Sequence, residues 1–268
     1  MSTDVLAPLL DLTGVRAAAD EARAAVDRVH RHPANRHGWP ATAAEAAIRA
    51  ARASAALDGA DVRLPAPGGA LGGGASGGGA SGGAAGGRLG VDDPVLAGSV
   101  RIADAVGTLL ATWRRAPLQA LARLHVLAAA DLVDPADADA VLGRPRSAPG
   151  VAERLHLLAD TVAGQTAVPG VLLSAVVQGE LLALAPFGTA DGVVARAAAR
   201  LTAIATGFDV KGLAVPEVGH LRRAAEYRAT AAGFASGEPA AVAAWLVHCC
   251  EAWQAGAREA HSIADAAR

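Results

Sequence analysis

The sequence predicts an all-α fold, and three observations carry that prediction. Hydrophobic residues make up 52% of the 268 residues, yet aromatic residues only 3%. Much of the apolar share is Ala, the best helix former and a poor strand former, which argues against a β-sandwich or barrel. Apolar residues recur at helical spacing along most of the chain, and no window alternates as a half-buried strand would.

The elements follow in order. The first helix is expected near 12–31, with Val15, Ala19, Ala22 and Val26 on one face. His30, His32 and His37 surround a Pro33 turn; they read as solvated, a loose metal site being the alternative. A second helix is expected near 41–57. Thr42 and Glu45 have capping-box spacing at its start, and Gly59 after Asp58 can supply the left-handed stop.

Residues 68–90 read GGALGGGASGGGASGGAAGGRLG. Such a segment buries too little surface to offset its backbone entropy and is expected to behave as a flexible linker. A phosphate-binding loop would need a GxxxxGK[ST] pattern and a flanking strand, and neither is present. The chain thus divides into an N-terminal helical segment (1–67), the linker (68–90) and a helical core (91–268).

Beyond the linker, Asp92 or Asp93 can cap a helix with Pro94 in its first turn. Helices are then expected over 117–132, a short stretch from Asp134-Pro135 to Leu142, and 151–162. The stretch 171–184 is apolar nearly all round and should sit centrally. Further helices are expected from Thr189 or Asp191 through Ile204, over 218–234 with Arg222 and Glu226 on one face, and from Glu238-Pro239 onward.

Charge and cysteine content exclude several functions. The net charge is -2 and Lys211 is the only lysine, so no basic footprint for nucleic acid and no polybasic membrane patch exists. The most apolar stretch, 168–187, carries Gln178, Glu180 and two prolines, and reads as a buried core helix rather than a membrane span. Cys249 and Cys250 are adjacent, about 100° apart on a helix, which suits neither a disulfide nor a zinc site. Met1-Ser2-Thr3-Asp4 lacks the pattern of a signal peptide. A soluble cytoplasmic protein with buried reduced thiols is the expectation.

The chemistry, if any, gathers at 185–196, which reads APFGTADGVVAR. This is a helix end, a tight turn and a new helix start. Free backbone N–H groups and the helix dipole there can hold an anion, and Arg196 and Arg200 lie one turn apart on the new helix. The plainer alternative is a capped helix pair, with Asp191 as cap and both arginines solvated.

The same loop resembles a degenerate core motif of the Fic (Fido) family, HPFx[DE]GN[GK]RxxR. Pro186, Phe187, Gly192 and Arg196 match it. Ala185 stands at the His, Thr189 at the acidic position, Ala190 at the first Gly, Asp191 at the Asn and Val193 at the first Arg. Other segments agree in order. Ser54 to Gly59 resembles the inhibitory-helix motif [ST]xxxE[GN], with Asp58 for Glu. Leu124-His125 and Gly143-Arg144-Pro145-Arg146 resemble the upstream core helix and its turn. Gly212-Leu213, Tyr227, Trp245 and Leu246 resemble the C-terminal helices.

The resemblance implies a Fic-like helical bundle. It also implies AMP transfer from ATP to a protein hydroxyl, with the motif His as base, the acidic residue on Mg²⁺, and the loop and arginines on the triphosphate. Gly188, Thr189, Asp191, Gly192, Arg196 and Arg200 are by this resemblance the nucleotide- or anion-binding candidates, with ATP or another nucleotide as the implied ligand and no metal expected. Four departures speak against transfer. Ala185 cannot accept a proton, which alone costs roughly 10²–10⁴ in rate. Thr189 is a weak metal ligand. Asp191 puts negative charge where a phosphate would sit, and Val193 removes a cation.

The four residues from Ser147 to Gly150 are too few for the family's target-docking β-hairpin, although 164–170 offers a small substitute loop. The family's inhibitory Glu pairs with the first motif Arg, so Asp58, facing Val193, is expected to lack a charged partner and Ser54 to Gly59 to form a packing helix.

Three readings follow. The first is a catalytically silent Fic-like protein that binds a protein partner or a small anion. The second is a nucleotidyl- or phosphoryl-transfer enzyme rewired around Glu180, Thr189, Asp191, Arg196 and Arg200, with His125 or His156 nearby and burial raising the Glu180 pKa. The third is an assembly protein, self-association included, with Trp113, Trp245 and Trp253 in the core.

Overall fold

The structure, a computed structural model, describes residues 4–62, 93–164 and 166–267. The Gly-rich segment 68–90, and with it the linker expectation, lies outside the described residues, as do Met1, Ser2, Thr3 and Gln165.

The described residues form a short 3-10 turn, Ala7–Asp11, and twelve α-helices, with no strand among them. The first three helices are α1 (Val15–Arg31), α2 (Ala34–His37) and α3 (Trp39–Leu57). The next four are α4 (Pro94–Arg115), α5 (Pro117–Ala129), α6 (Ala138–Val141) and α7 (Val151–Ala163). The last five are α8 (Gly170–Leu184), α9 (Asp191–Ala205), α10 (Pro216–Arg222), α11 (Ala224–Phe234) and α12 (Pro239–Ala266).

Helices α8 and α9 make the most extensive pairing and form the centre. As its all-round apolar sequence predicts, α8 is buried everywhere except Glu180, Leu182 and Ala183. The pair α1–α12 closes one side; α4 packs against α5, α3 and α9. At Gly98 the helices α4 and α5 come so close that a Cβ would overlap the Ala128 carbonyl. Trp113, Trp245 and Trp253 are all core residues. Cys249 and Cys250 are free and buried; burial pushes the Cys250 thiol up to about 12.

Local punctuation follows the sequence in places. Asp93 caps α4, accepting from the amides of Val95 and Leu96, with Pro94 at the first helical position. Gly59 after α3 has φ +97°, and Gly207 after α9 has φ +77°.

Elsewhere tertiary contacts override local signals. Thr42 lies inside α3 and donates to Asn35 Oδ1 at 2.7 Å, so no capping box forms there. His30 and His32 are not solvated. His30 Nε2 meets Asp209 Oδ1 at 2.7 Å, and buried His32 meets Asp265. After Asp134 only Ala138–Val141 is helical. The helix expected over 218–234 breaks at Arg223 into two shorter helices, both of which pack against α12. Arg222 therefore pairs with Glu259, while Glu226 pairs with Arg223 and His248.

Candidate functional site

The 185–190 turn joins the two central helices. Helix α8 ends at Leu184, and Ala185 turns the chain with left-handed φ +42°. Arg146 fastens this end. Its Nε donates to the Ala185 carbonyl and its Nη2 to the Leu184 carbonyl, both at 2.8 Å, and its backbone N–H donates to the Pro186 carbonyl. A cation at a helix C-terminus meets carbonyls that lack helical partners, and the dipole favours it there.

Phe187 then stacks on buried His125, with centroids 4.2 Å apart and planes within 7°. The Gly143 N–H donates to His125 Nδ1 at 2.9 Å, and His125 Nε2 lies 2.9 Å from Thr189 Oγ1. A ring nitrogen that accepts from an amide carries no proton, so the proton of the neutral ring sits on Nε2 and is donated to Thr189. Burial lowers the His125 pKa below the ordinary histidine value, which favours this neutral form. His125 therefore holds the loop through Thr189 and is not placed to take the Thr189 proton.

Asp191 is the first residue of α9, and Ala190 before it is left-handed at φ +52°. The Asp191 carboxylate turns back over the loop. Oδ1 accepts from the Phe187 amide at 2.9 Å and Oδ2 from the Gly188 amide at 2.8 Å. Two loop amides that could receive an external anion are thus bonded to an internal one. Burial raises the Asp191 pKa; the two amides and Arg146 oppose that shift.

Arg196 and Arg200 are both buried, which overturns the solvated alternative. Arg196 donates through Nε to Ser54 Oγ at 2.8 Å, through Nη2 to the Ser54 carbonyl at 2.9 Å, and through Nη1 to the Tyr227 hydroxyl at 3.2 Å. Its Nη2 also meets Asp58 Oδ1 at 2.9 Å. Burial opposes the charge, but Tyr227 and Asp58 outweigh it and hold the guanidinium above the usual arginine range. The expectation that Asp58 lacks a charged partner is therefore wrong. Asp58 reaches the arginine one turn beyond Val193, because positions 193 and 196 share a helix face. Gly192 makes room for it, since a Cβ there would stand 2.5 Å from Asp58 Oδ1.

Arg200 spans both oxygens of Glu217, at 3.3 and 3.0 Å, and the carbonyls of Gly212 and Ala214. Sequence reading passes over Glu217; the available signal was an acidic residue in the first turn of a helix opened by Pro216. The buried pair His220 and His248, 3.1 Å apart, is likewise missed.

Glu180 does not have the buried setting expected of it. It is part-exposed and pairs with Arg154 of α7 at 2.6 Å. His156 is exposed and donates to its own helix at the Ala152 carbonyl. It shares with Phe187 and Arg146 a cavity of about 430 Å³ between α5, α7 and the 143–148 turn. No group of three His, Cys, Asp or Glu side chains suits a metal among the described residues.

The sequence matches no family model and no curated protein. Solved structures do match the fold. One is the crystal structure of a Fic family protein from Desulfovibrio desulfuricans G20, with TM-score 0.63 and 19% sequence identity over 91% of this chain and 74% of that one. The helices and the central helix–loop–helix described above thus assemble into a Fic-like all-α fold.

Proposed function

We propose that this chain is a Fic-fold protein that binds rather than transfers, working in the cytoplasm through a protein partner and passing no AMP to a hydroxyl. The observation that carries this reading is the Asp191 carboxylate seated on the Phe187 and Gly188 amides. A phosphate brought to the same amides would displace that carboxylate or face it as a like charge. At 4 Å and an effective dielectric near 20, that repulsion is about 4 kcal/mol per unit charge pair.

Two further features support the reading. Arg196 and Arg200 have their donors engaged by protein acceptors, so a triphosphate would have to break existing pairs. Ala185 offers no proton acceptor where the resembled motif has its base. The His125–Thr189 hydrogen bond is the contact nearest to a rewired catalytic pair, and its polarity runs the wrong way.

The test is incubation with ATP labelled at the α-phosphate, together with a cell lysate as a source of hydroxyl acceptors. We expect no protein to become labelled, either with the natural chain or with Ala185→His. Phosphate, AMP, ADP and ATP should leave the thermal midpoint unchanged. Covalent label transfer by the natural chain overturns the reading.

A further inference from the structure

A second cavity of about 430 Å³ lies between α3, α4 and α9, and Gly188, Thr189 and Asp191 take no part in its lining. Its volume falls within the range of small-molecule sites, roughly 300–1,000 Å³. Ala43 and Ala47 of α3 and Ile102, Val106 and Leu110 of α4 give it apolar walls. Small side chains on α3 leave the space open. At Gly107 of α4, a Cβ would meet nothing within 4 Å.

The rim is apolar as well. Five large hydrophobic side chains are exposed among the described residues, and two of them, Trp39 and Val210, line this cleft. Exposed apolar groups concentrated at the mouth of an apolar cavity mark a binding site more often than scattered ones do.

Charge narrows the occupant. Four charged residues line the cleft: Arg196, Arg200, Glu217 and Lys211. Arg196 is paired with Asp58, and Arg200 with Glu217. Lys211 differs. Its Nζ donates to the Asn35 carbonyl at 2.9 Å, and no carboxylate among the described residues lies in ion-pair range. An ammonium carries three donors, so at least one donor and the whole charge remain for a ligand. A polyphosphate would leave most of its charge against apolar walls, which is costly. A neutral apolar ligand would leave the ammonium unpaired.

We infer that this cleft binds a small amphipathic carboxylate of the medium-chain fatty-acid kind. The acid group rests on Lys211 and the apolar body lies between α3 and α4. This site goes beyond the reading given above and does not depend on it.

Sodium decanoate is the probe, followed by titration calorimetry and by tryptophan emission, since Trp39 is the exposed tryptophan at the rim. We expect saturable binding with an emission change. Lys211→Gln should weaken decanoate about tenfold or more, the range of a charge-assisted hydrogen bond, and leave 1-decanol unchanged. Gly107→Leu and, separately, Ala47→Leu should abolish binding of both probes while retaining the helical spectrum and cooperative unfolding.

Failure of decanoate to bind, or equal affinity in Lys211→Gln, overturns the inference, and so does full affinity in a folded cavity-filled variant. Competition of phosphate or ATP with decanoate overturns the assigned ligand class. AMP transfer by the natural chain would sink the proposed function and leave this outcome untouched.

Discussion

Asp58, at the end of α3, and Arg196, inside α9, form an ion pair at 2.9 Å in which the arginine is buried and the carboxylate about a quarter exposed. Ser54 and Tyr227 supply the other acceptors for the guanidinium. Removing Asp58 therefore strips a buried charge of its counter-ion but not of its hydrogen bonds. The loss should be less than the 3–5 kcal/mol typical of a broken buried pair. We expect Asp58→Ala to cost about 1–3 kcal/mol in urea unfolding. Gly192→Ala pushes a methyl group into the same carboxylate and should cost a similar amount. The two changes damage one contact, so the double variant should lose clearly less than the sum of the single losses. Strict additivity would show that Gly192 acts elsewhere.

Asp191 provides a second test, because it stabilises the loop while filling an anion position. Asp191→Ala leaves the Phe187 and Gly188 amides without an acceptor and should destabilise the fold by about 1–2 kcal/mol. The vacated loop amides, just ahead of the α9 N-terminus, then become available to an external anion. Inorganic phosphate should raise the thermal midpoint of Asp191→Ala and leave that of the natural chain unchanged. A phosphate effect of equal size in both proteins would show that the carboxylate does not close the site.

Much of this molecule is legible in the sequence, and the remainder fails for identifiable physical reasons. Helix α8 is readable because its all-round apolarity demands burial, and the start of α4 because Asp93-Pro94 is a local signal. The 185–190 turn falls between two central helices, as its glycine and proline punctuation predicts. What fails is partner choice. Thr42 has capping spacing, yet its hydroxyl is taken by Asn35 across a turn. Glu180 sits in an apolar helix, yet Arg154 from α7 draws it to the surface. Arg196 and Ser54 are 142 positions apart, and local spacing cannot distinguish position 193 from 196 as the partner of Asp58. Periodicity fixes faces, whereas side-chain partners depend on how faces from distant segments meet.

The loop is flanked by backbone conformations that alanine adopts reluctantly. Ala185 and Ala190 are left-handed, the two non-glycine residues of the described chain with positive φ. The left-handed region costs an L-residue with a Cβ roughly 1–2 kcal/mol, and glycine avoids that cost while losing more entropy on folding. We expect Ala185→Gly and Ala190→Gly each to stabilise the fold by about 0.5–1 kcal/mol. Urea midpoints at constant m-value will check this. Destabilisation at either position would mean that its methyl packing outweighs the strain.

Acid sensitivity should come from the buried histidines. His248 Nδ1 lies 3.3 Å from the Glu226 carboxylate and His248 Nε2 lies 3.1 Å from His220 Nδ1. A carboxylate only accepts, so His248 donates from Nδ1 and its Nε2 accepts from His220. This chain of donors works with both rings neutral, and a proton on His248 Nε2 would oppose two N–H groups. Burial lowers the pKa of His125 and His248, and burial with the neighbouring His248 charge lowers that of His220 well below the ordinary value. A folded-state pKa below the unfolded one means that the contribution is complete above the unfolded value, about 6.5. It is lost as pH falls toward the folded values, because the unfolded chain takes up protons that the native rings refuse. Asp191 has the opposite sign, its raised pKa favouring the native state only in the more acid range. Stability should therefore be flat from pH 8 to 7 and decline from pH 6.5 to 5. Each histidine contributes a slope approaching about 1.4 kcal/mol per pH unit. His220→Asn should be less stable at pH 7.5 but flatter with pH, as urea unfolding across that range will show.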